Sequence, residues 1–336
     1  MARNAELAEL AESIFAASYD KDATGLDAAA WKACAESGLT TLTDPEVGGT
    51  LEDSAVLLEA AGAWAARVPL AETDLLGGWL VRAAGLAVPD GPSVAVTGSV
   101  AGDGPGAVSA ELHRVPWGRS LAAVVVLDGD RVLVLDTAGA AVTEGANVAE
   151  EPRDTLRFTG VTPVAAAAAP AGAAAELELR AALGRSLLLA GAARGALARS
   201  IGYAGERQQF GRPIARFQAV QQMLAEAGSE VAAAAAASAA AARTARTAGF
   251  GDPATEFAVA AAKARCGETA TAVARITHQV HGAIGFTREH DLRLVTTRLW
   301  AWRDEDGNES RWNDRVGELA LEAGADGLWP LVTGRP

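Results

Sequence analysis

The hydrophobic period of this chain changes at Ser93 and changes back near Ala173, and that double switch restricts the fold more than any other feature. Before it, apolar residues recur at helical spacing: Leu7, Leu10 and Ile14 fall at i, i+3 and i+7. Asp27 can cap a second helix through Trp31 and Cys34, and Gly38 supplies its stop. The turn-rich run Asp44-Pro45-Glu46-Val47-Gly48-Gly49 interrupts the pattern, which resumes over residues 55–64 until Pro69; residues 71–84 predict a fourth helix. From Ser93 the period shortens. Residues 93–100, 121–127 and 131–136 are brief and Val-rich, as strands are, and Asp128-Gly129 predicts a hairpin because Gly tolerates positive φ. Shorter strands are expected near Ala141 and over residues 155–159, while residues 164–175 read as a linker or a helix start.

Beyond Ala173 the helical period returns in long segments. Leu187, Leu197 and Ile201, with Gly191 and Gly195 among them, predict a helix packed closely on its neighbours. Phe217, Val220 and Leu224 open another, continued by residues 231–247; residues 254–280, 292–302 and 313–322 complete the set. Helices, a small β region and a helical bundle make an α+β fold, mainly α, with expected domains at 1–90, 91–165 and 173–336.

Composition narrows the function classes. Subtracting 42 acidic from 29 basic residues gives −13, which argues against a general nucleic-acid binder, since that would need Lys and Arg to displace counterions. Two cysteines, Cys34 and Cys266, cannot staple 336 residues, and the chain opens without a secretory apolar stretch, so a cytoplasmic location is expected. The longest uncharged Ala run, 231–242, falls short of the roughly 20 apolar residues of a membrane span. His278 and His281 sit i, i+3 without a third ligand in view, which favours packing or hydrogen bonding over metal binding. Trp300 and Trp302 are expected to pack in the core or at an interface.

The most distinctive stretch runs from Tyr203 to Gln218: Tyr203-Ala-Gly-Glu-Arg207-Gln-Gln-Phe210-Gly211-Arg-Pro213-Ile-Ala-Arg-Phe217-Gln218. A helix carrying Tyr203 and Arg207 one turn apart is expected to end at Phe210-Gly211, with Pro213 in the turn and a new helix near Phe217. A fixed Arg beside a helix break suits a phosphate, because its planar fork makes bidentate, charge-assisted bonds; a solvated Arg at an ordinary corner is the plainer alternative. Together with His278-Gln279-Val-His281-Gly282-Ala283-Ile-Gly285-Phe286, this stretch resembles the two signature segments of the acyl-CoA dehydrogenase family. Gly38-Leu39 with Gly48-Gly49 is similar to the family's N-terminal pattern.

The resemblance implies an acyl-CoA dehydrogenase-like fold with a reduced middle β barrel and a C-terminal four-helix bundle. It also implies an acyl-CoA substrate, an FAD reached partly by a neighbouring subunit, and an electron-transfer flavoprotein as acceptor. By matching position, Arg207, Phe210, Gln218, Gln279 and Gly282 would contact that FAD; Gly282 would let the dinucleotide approach a bare backbone. Ala283 stands where the family has a second Gly.

Two departures stand out. Asp306, followed by Gly307 and Asn308, occupies the position of the family's catalytic Glu. The missing methylene withdraws its carboxylate by about 1.5 Å, a displacement that can cost on the order of a hundredfold in rate. Some members carry the base on the first long bundle helix instead; the matching position is near Ala181, with Glu178 one turn away. The flavin-side loop of fully active members, Thr-Glu-Pro-x-x-Gly-Ser-Asp-like, is replaced by the Gly-rich residues 101–107. In this the chain resembles the shortened, catalytically incomplete subunit of bacterial heteromeric acyl-CoA dehydrogenases, which supports FAD across an interface with a homologous chain. Two alternatives stay open: an active homo-oligomer using Asp306 as base, and an assembly subunit without flavin.

Overall fold

The structure, a computed structural model, describes residues 2–102 and 106–333. The chain begins with α1 (Ala2–Ala17), α2 (Ala28–Glu36) and α3 (Leu51–Trp64). Asp27 caps α2 as expected, its carboxylate accepting the Ala30 N–H at 2.9 Å, and Gly38 follows with φ +71°. The expected fourth helix differs in kind. Glu72–Gly78 is a π-helix and only Trp79–Ala83 (α4) is α-helical. Its polar side chains explain the wider turn. Asp74 is buried and accepts the Thr43 N–H (3.1 Å) and hydroxyl (2.8 Å), while the Thr73 hydroxyl bonds both backbone groups of Ser93.

Eight strands follow before the bundle helices: β1 (Ser93–Thr97), β2 (Val100–Ala101), β3 (Val108–Pro116), β4 (Ala123–Asp128), β5 (Arg131–Asp136), β6 (Ala141–Thr143), β7 (Arg153–Val161) and β8 (Ala165–Ala168). They form two four-stranded sheets, ordered β1-β4-β5-β8 and β2-β3-β7-β6. The β4–β5 hairpin closes at Asp128↔Arg131 with Gly129 at φ +60°, as the sequence requires. Two strands were not expected. In β3 only alternate residues, Val108, Ala110 and Leu112, are buried, and the outward Glu111 and His113 mask the pattern. β8 corrects the reading of residues 164–175 as linker or helix start: four alanines pair with β5, Val134 opposite Ala165, so tertiary pairing overrides poor strand propensity. Residues 103–105, within the Gly-rich stretch expected to replace a flavin-side loop, lie outside the described residues.

The rest is helical: α5 (Ala173–Glu206), a two-residue ribbon of β9 (Gln208–Gln209) and β10 (Arg212–Pro213), α6 (Gln218–Ala248), α7 (Pro253–His281), α8 (Leu292–Asp304) and α9 (Glu309–Thr333), kinked at Gly324. The chain divides into two units. One takes Asp22–Thr50 and Arg67–Ala181; the other joins α1 and α3 to the chain from Ala182 onward. In the second unit, small residues let backbones touch. A Cβ on Gly191 would lie 2.1 Å from the Glu59 carbonyl oxygen, and one on Gly195 would lie 2.4 Å from that of Ala63. The alanine run of α6 turns Ala227, Ala234, Ser238, Ala241 and Ala245 inward, a single helical stripe. Both thiols are buried, and burial pushes Cys34 up to about 11 and Cys266 up to about 12, so neither is reactive. Among the described residues no helix is long and apolar enough to cross a membrane.

Candidate functional site

Helix α5 ends earlier than expected, at Glu206, its last turn closed by the Arg207 N–H on the Tyr203 carbonyl (2.8 Å). Arg207 therefore starts the β9–β10 ribbon, whose tip is Phe210 (φ +52°) and Gly211 (φ +78°). Two successive left-handed residues are what a two-residue hairpin demands; Gly accepts that conformation freely, and Phe210 carries strain for it. The Ile214 N–H on the Arg207 carbonyl (2.8 Å) locks the corner, and Phe217 caps α6 just before Gln218. Phe210 is 91% exposed, its ring edge-on to Phe217 at 6.1 Å, and the Arg212 guanidinium lies 4.4 Å over Phe217. Arg207 is exposed and has no carboxylate within 4.0 Å among the described residues; Gln218 is exposed beside it in sequence.

The second motif ends α7. Gly282 follows His281 at φ +65°, ψ −146°, a conformation open essentially to glycine, and an added Cβ there would meet nothing within 4 Å. Gln279 and Gly282 are exposed, whereas His278 and His281 face inward. Both histidines have packing roles. His278 stacks on Phe286 (4.0 Å) and Trp300 (5.3 Å) and bonds the Thr296 hydroxyl through Nε2 (3.0 Å). His281 donates Nδ1–H to the Thr277 carbonyl (2.8 Å), which leaves Nε2 as an acceptor, buried and unpartnered. Among the described residues no His, Cys, Asp or Glu cluster is arranged to hold a metal. Trp302 is buried, whereas Trp300 is partly exposed.

One contact brings the two motifs together. The Tyr203 ring stacks on His281 at 4.4 Å and its hydroxyl donates to the His281 carbonyl (3.4 Å), so the end of α5 lies against the end of α7. Arg207 is one turn beyond Tyr203, and Gly282 is the next residue after His281. His290 sits edge-on to both rings, at 5.7 Å from Tyr203 and 4.6 Å from His281. The sequence reading did not find this joint.

Burial holds His281 down at about 4, and the neighbouring His290 and His278 oppose a charge there, while the Thr277 carbonyl and Asp291 favour it. The unfolded chain, near 6.5 for histidine, then binds more protons than the folded one between these values. Stability should therefore fall as pH drops from about 6.5 to about 4, with a slope of up to about 1.4 kcal/mol per pH unit from this group. Denaturant titrations of the chain and of His281→Gln across that range should show the wild-type slope reduced in the variant.

Asp306 keeps different company. It stands at φ +57° in the turn between α8 and α9 and accepts Arg185 Nε–H at 2.8 Å; Glu305 lies 3.4 Å from Arg185 Nη2. Arg185 is only 6% exposed. Lys263, wholly buried, donates Nζ–H to the carbonyls of Arg303 (3.0 Å) and Gly307, and the Trp312 indole N–H donates to the Asp306 carbonyl (2.9 Å). At 1.5 Å per residue, Lys263 is about 27 Å along α7 from His281, and Arg185 about 27 Å along α5 from Tyr203. The Asp306 loop and the Arg207–Gly282 corner are thus opposite ends of the same helices. Arg185 and Lys263 were missed in the sequence, although a lone Arg within Leu183-Gly184-Arg185-Ser186-Leu187 is the signal that would have found the first.

Similarity to known proteins agrees with this architecture. A family model described as acyl-CoA dehydrogenase, C-terminal domain, matches residues 178–308. Acyl-CoA dehydrogenase IpdE2 of Mycolicibacterium smegmatis is 30% identical over 289 residues, 82% of each chain. A solved variant of the Tcur3481-Tcur3483 steroid ACAD superposes with a TM-score of 0.83 at 25% identity, covering 96% of this chain and 99% of that one. The ChsE4-ChsE5 complex of Mycobacterium tuberculosis shares the fold at a TM-score of 0.80 and 21% identity, covering 95% and 97%. With IpdE2 matched along most of both chains and the helix–sheet–helix order in place, the chain belongs to the acyl-CoA dehydrogenase family, oxidoreductases acting on CH–CH bonds.

Proposed function

We propose that this chain is one subunit of an FAD-dependent acyl-CoA dehydrogenase, assembled with a homologous subunit, and that it holds the diphosphate and adenine end of FAD while the partner supplies the base. The observation that carries this reading is the asymmetry between the two ends of α5 and α7. At one end, Arg207 offers an unpaired guanidinium beside an open glycine corner; at the other, the carboxylate in the base position already bonds Arg185. The donor set at the Arg207 end fits a dinucleotide diphosphate: a guanidinium fork, two exposed amides on Gln218 and Gln279, and a backbone without Cβ at Gly282. Arg207 would bind a phosphate oxygen pair, the two amides would orient the nucleotide, and Phe210 would exclude water from it.

FAD, when bound, supplies the hydride acceptor for α,β-dehydrogenation of an acyl-CoA. The residues around Asp306 fit the reacting end of such a site poorly, because the carboxylate oxygen needed to accept a proton is engaged by Arg185. The two-part name of the steroid ACAD relative supports a partner chain of the same family. Purification alone and after co-expression with a homologous chain bearing Glu at the base position tests the proposal. Flavin absorbance and acyl-CoA turnover are expected only from the co-expressed pair; bound flavin with turnover by the isolated chain would overturn it.

A further inference from the structure

We propose that Arg185 is a positioning residue that silences this chain's own base position, holding Glu305 and Asp306 as a structural ion-pair knot rather than as proton acceptors. The inference deepens the partner-subunit reading and rests on it. Its ground is the geometry of one loop fastened from four helices. From α5, Arg185 reaches both carboxylates, Asp306 through Nε at 2.8 Å and Glu305 through Nη2 at 3.4 Å, so one fork spans two acceptors. From α7, Lys263 grips the carbonyls of Arg303 and Gly307, fixing the loop on either side of those carboxylates. From α9, the Trp312 indole holds the Asp306 carbonyl at 2.9 Å. The exit from α8 is so tight that a Cβ on Gly307 would come within 2.5 Å of Trp312 Nε1.

A base must reach its substrate's proton, lose its own counter-ion contact and then carry the proton away. Asp306 meets none of these needs. Its side chain faces inward to Arg185, its backbone sits in a left-handed conformation costly for a residue with a Cβ, and the loop around it has no slack. The charges also close on themselves. Two buried or largely buried cations, Arg185 and Lys263, meet the two carboxylates Glu305 and Asp306; Glu309 on α9 and the buried thiol of Cys266 are the other titratable groups around Lys263. Burial pulls Lys263 down to about 8, an effect Asp306 opposes, so removing the Asp306 charge would weaken the lysine clamp as well. A buried pair whose partner is removed leaves an uncompensated charge, which is why the network resists loss of any single member.

Arg185→Met in the flavin-loaded complex separates this role from catalysis. The expected result is a fall of about 5–10 °C in the thermal midpoint with the acid limb of the kcat/KM pH profile unmoved, because the proton acceptor lies on the partner. A shift of that limb would overturn the proposal, since Asp306 would then be the group that titrates in turnover; an unchanged midpoint would overturn it as well. Should Arg185→Met fail to fold, Arg185→Lys keeps one positive charge without the fork and is expected to show a smaller midpoint loss and the same limb. Adding Glu305→Gln and Asp306→Asn to Arg185→Met should recover much of the lost midpoint, and no recovery would count against an ion-pair knot. If the isolated chain proves to turn over by itself, the partner reading fails, and the same pH profile measured on that chain decides the Arg185 role independently.

Discussion

In the co-expressed complex, Arg207→Ala is expected to strip FAD, with affinity falling by about 10- to 100-fold, the equivalent of about 1.5–3 kcal/mol for a charged hydrogen bond. Arg207 is exposed, makes no ion pair among the described residues, and sits where the backbone is fixed on both sides, by the Tyr203 carbonyl and by the Ile214 N–H. A guanidinium held this way loses little entropy on meeting a diphosphate, so truncation removes binding energy rather than structure. Arg207→Lys, which keeps the charge but not the fork, should fall between wild type and Ala. The flavin-to-protein ratio after gel filtration, followed by FAD titration of the stripped complex, gives both numbers. A ratio unchanged in Arg207→Ala would remove the diphosphate assignment, and with it the reading of this corner.

The second large effect concerns the fold. Gly191→Ala should cost on the order of 3 kcal/mol or more, enough to broaden or abolish the cooperative unfolding transition. The added methyl would lie 2.1 Å from the Glu59 carbonyl oxygen and 2.8 Å from that residue's carbonyl carbon and Cα, so it meets rigid backbone with nowhere to retreat. Helix α3 would have to move away from α5, and Gly195, with its own contact of 2.4 Å to Ala63, ties the next turn to the same geometry. Gly202→Ala, on the same helix with nothing within 4 Å of the added Cβ, is the control, expected to be neutral or to stabilise by about 0.5–1 kcal/mol. Chemical denaturation of the two variants compares them directly. Equal stability would mean that α3 and α5 do not approach as closely as the structure has them.

Several parts of the chain were legible because their causes are local. The Asp27 cap, the left-handed Gly38 and the Asp128-Gly129 hairpin each depend on a few neighbouring residues, and each stands where expected. The spacing of Gly191 and Gly195 announced a close helix contact, although not its partner. The candidate site was legible only as two motifs, 203–218 and 278–286, whose wording resembles a family. That their ends meet through Tyr203 and His281 could not be read from periodicity, because each ring counts as just another helix residue. The end of α5 was placed one turn too far, since Arg207-Gln-Gln continues a helical pattern and only the left-handed Phe210-Gly211 pair forces the ribbon.

The sequence by itself determined the succession of helices, strands and helices, the helix caps and turns, the inward stripe of alanines and the residue types of both motifs, because such features follow from propensities and contacts within a few positions. The tertiary structure alone decided the π-helix at Glu72–Gly78, the alanine strand β8, the grouping of α1 and α3 with the later helices, and the capture of Asp306 by Arg185. Arg185 and Asp306 are 121 positions apart, and Tyr203 and His281 are 78 apart. Whether a carboxylate serves as a base or as half of an ion pair depends on which charge folding brings beside it, and that neighbour is chosen by packing over distances no local pattern encodes.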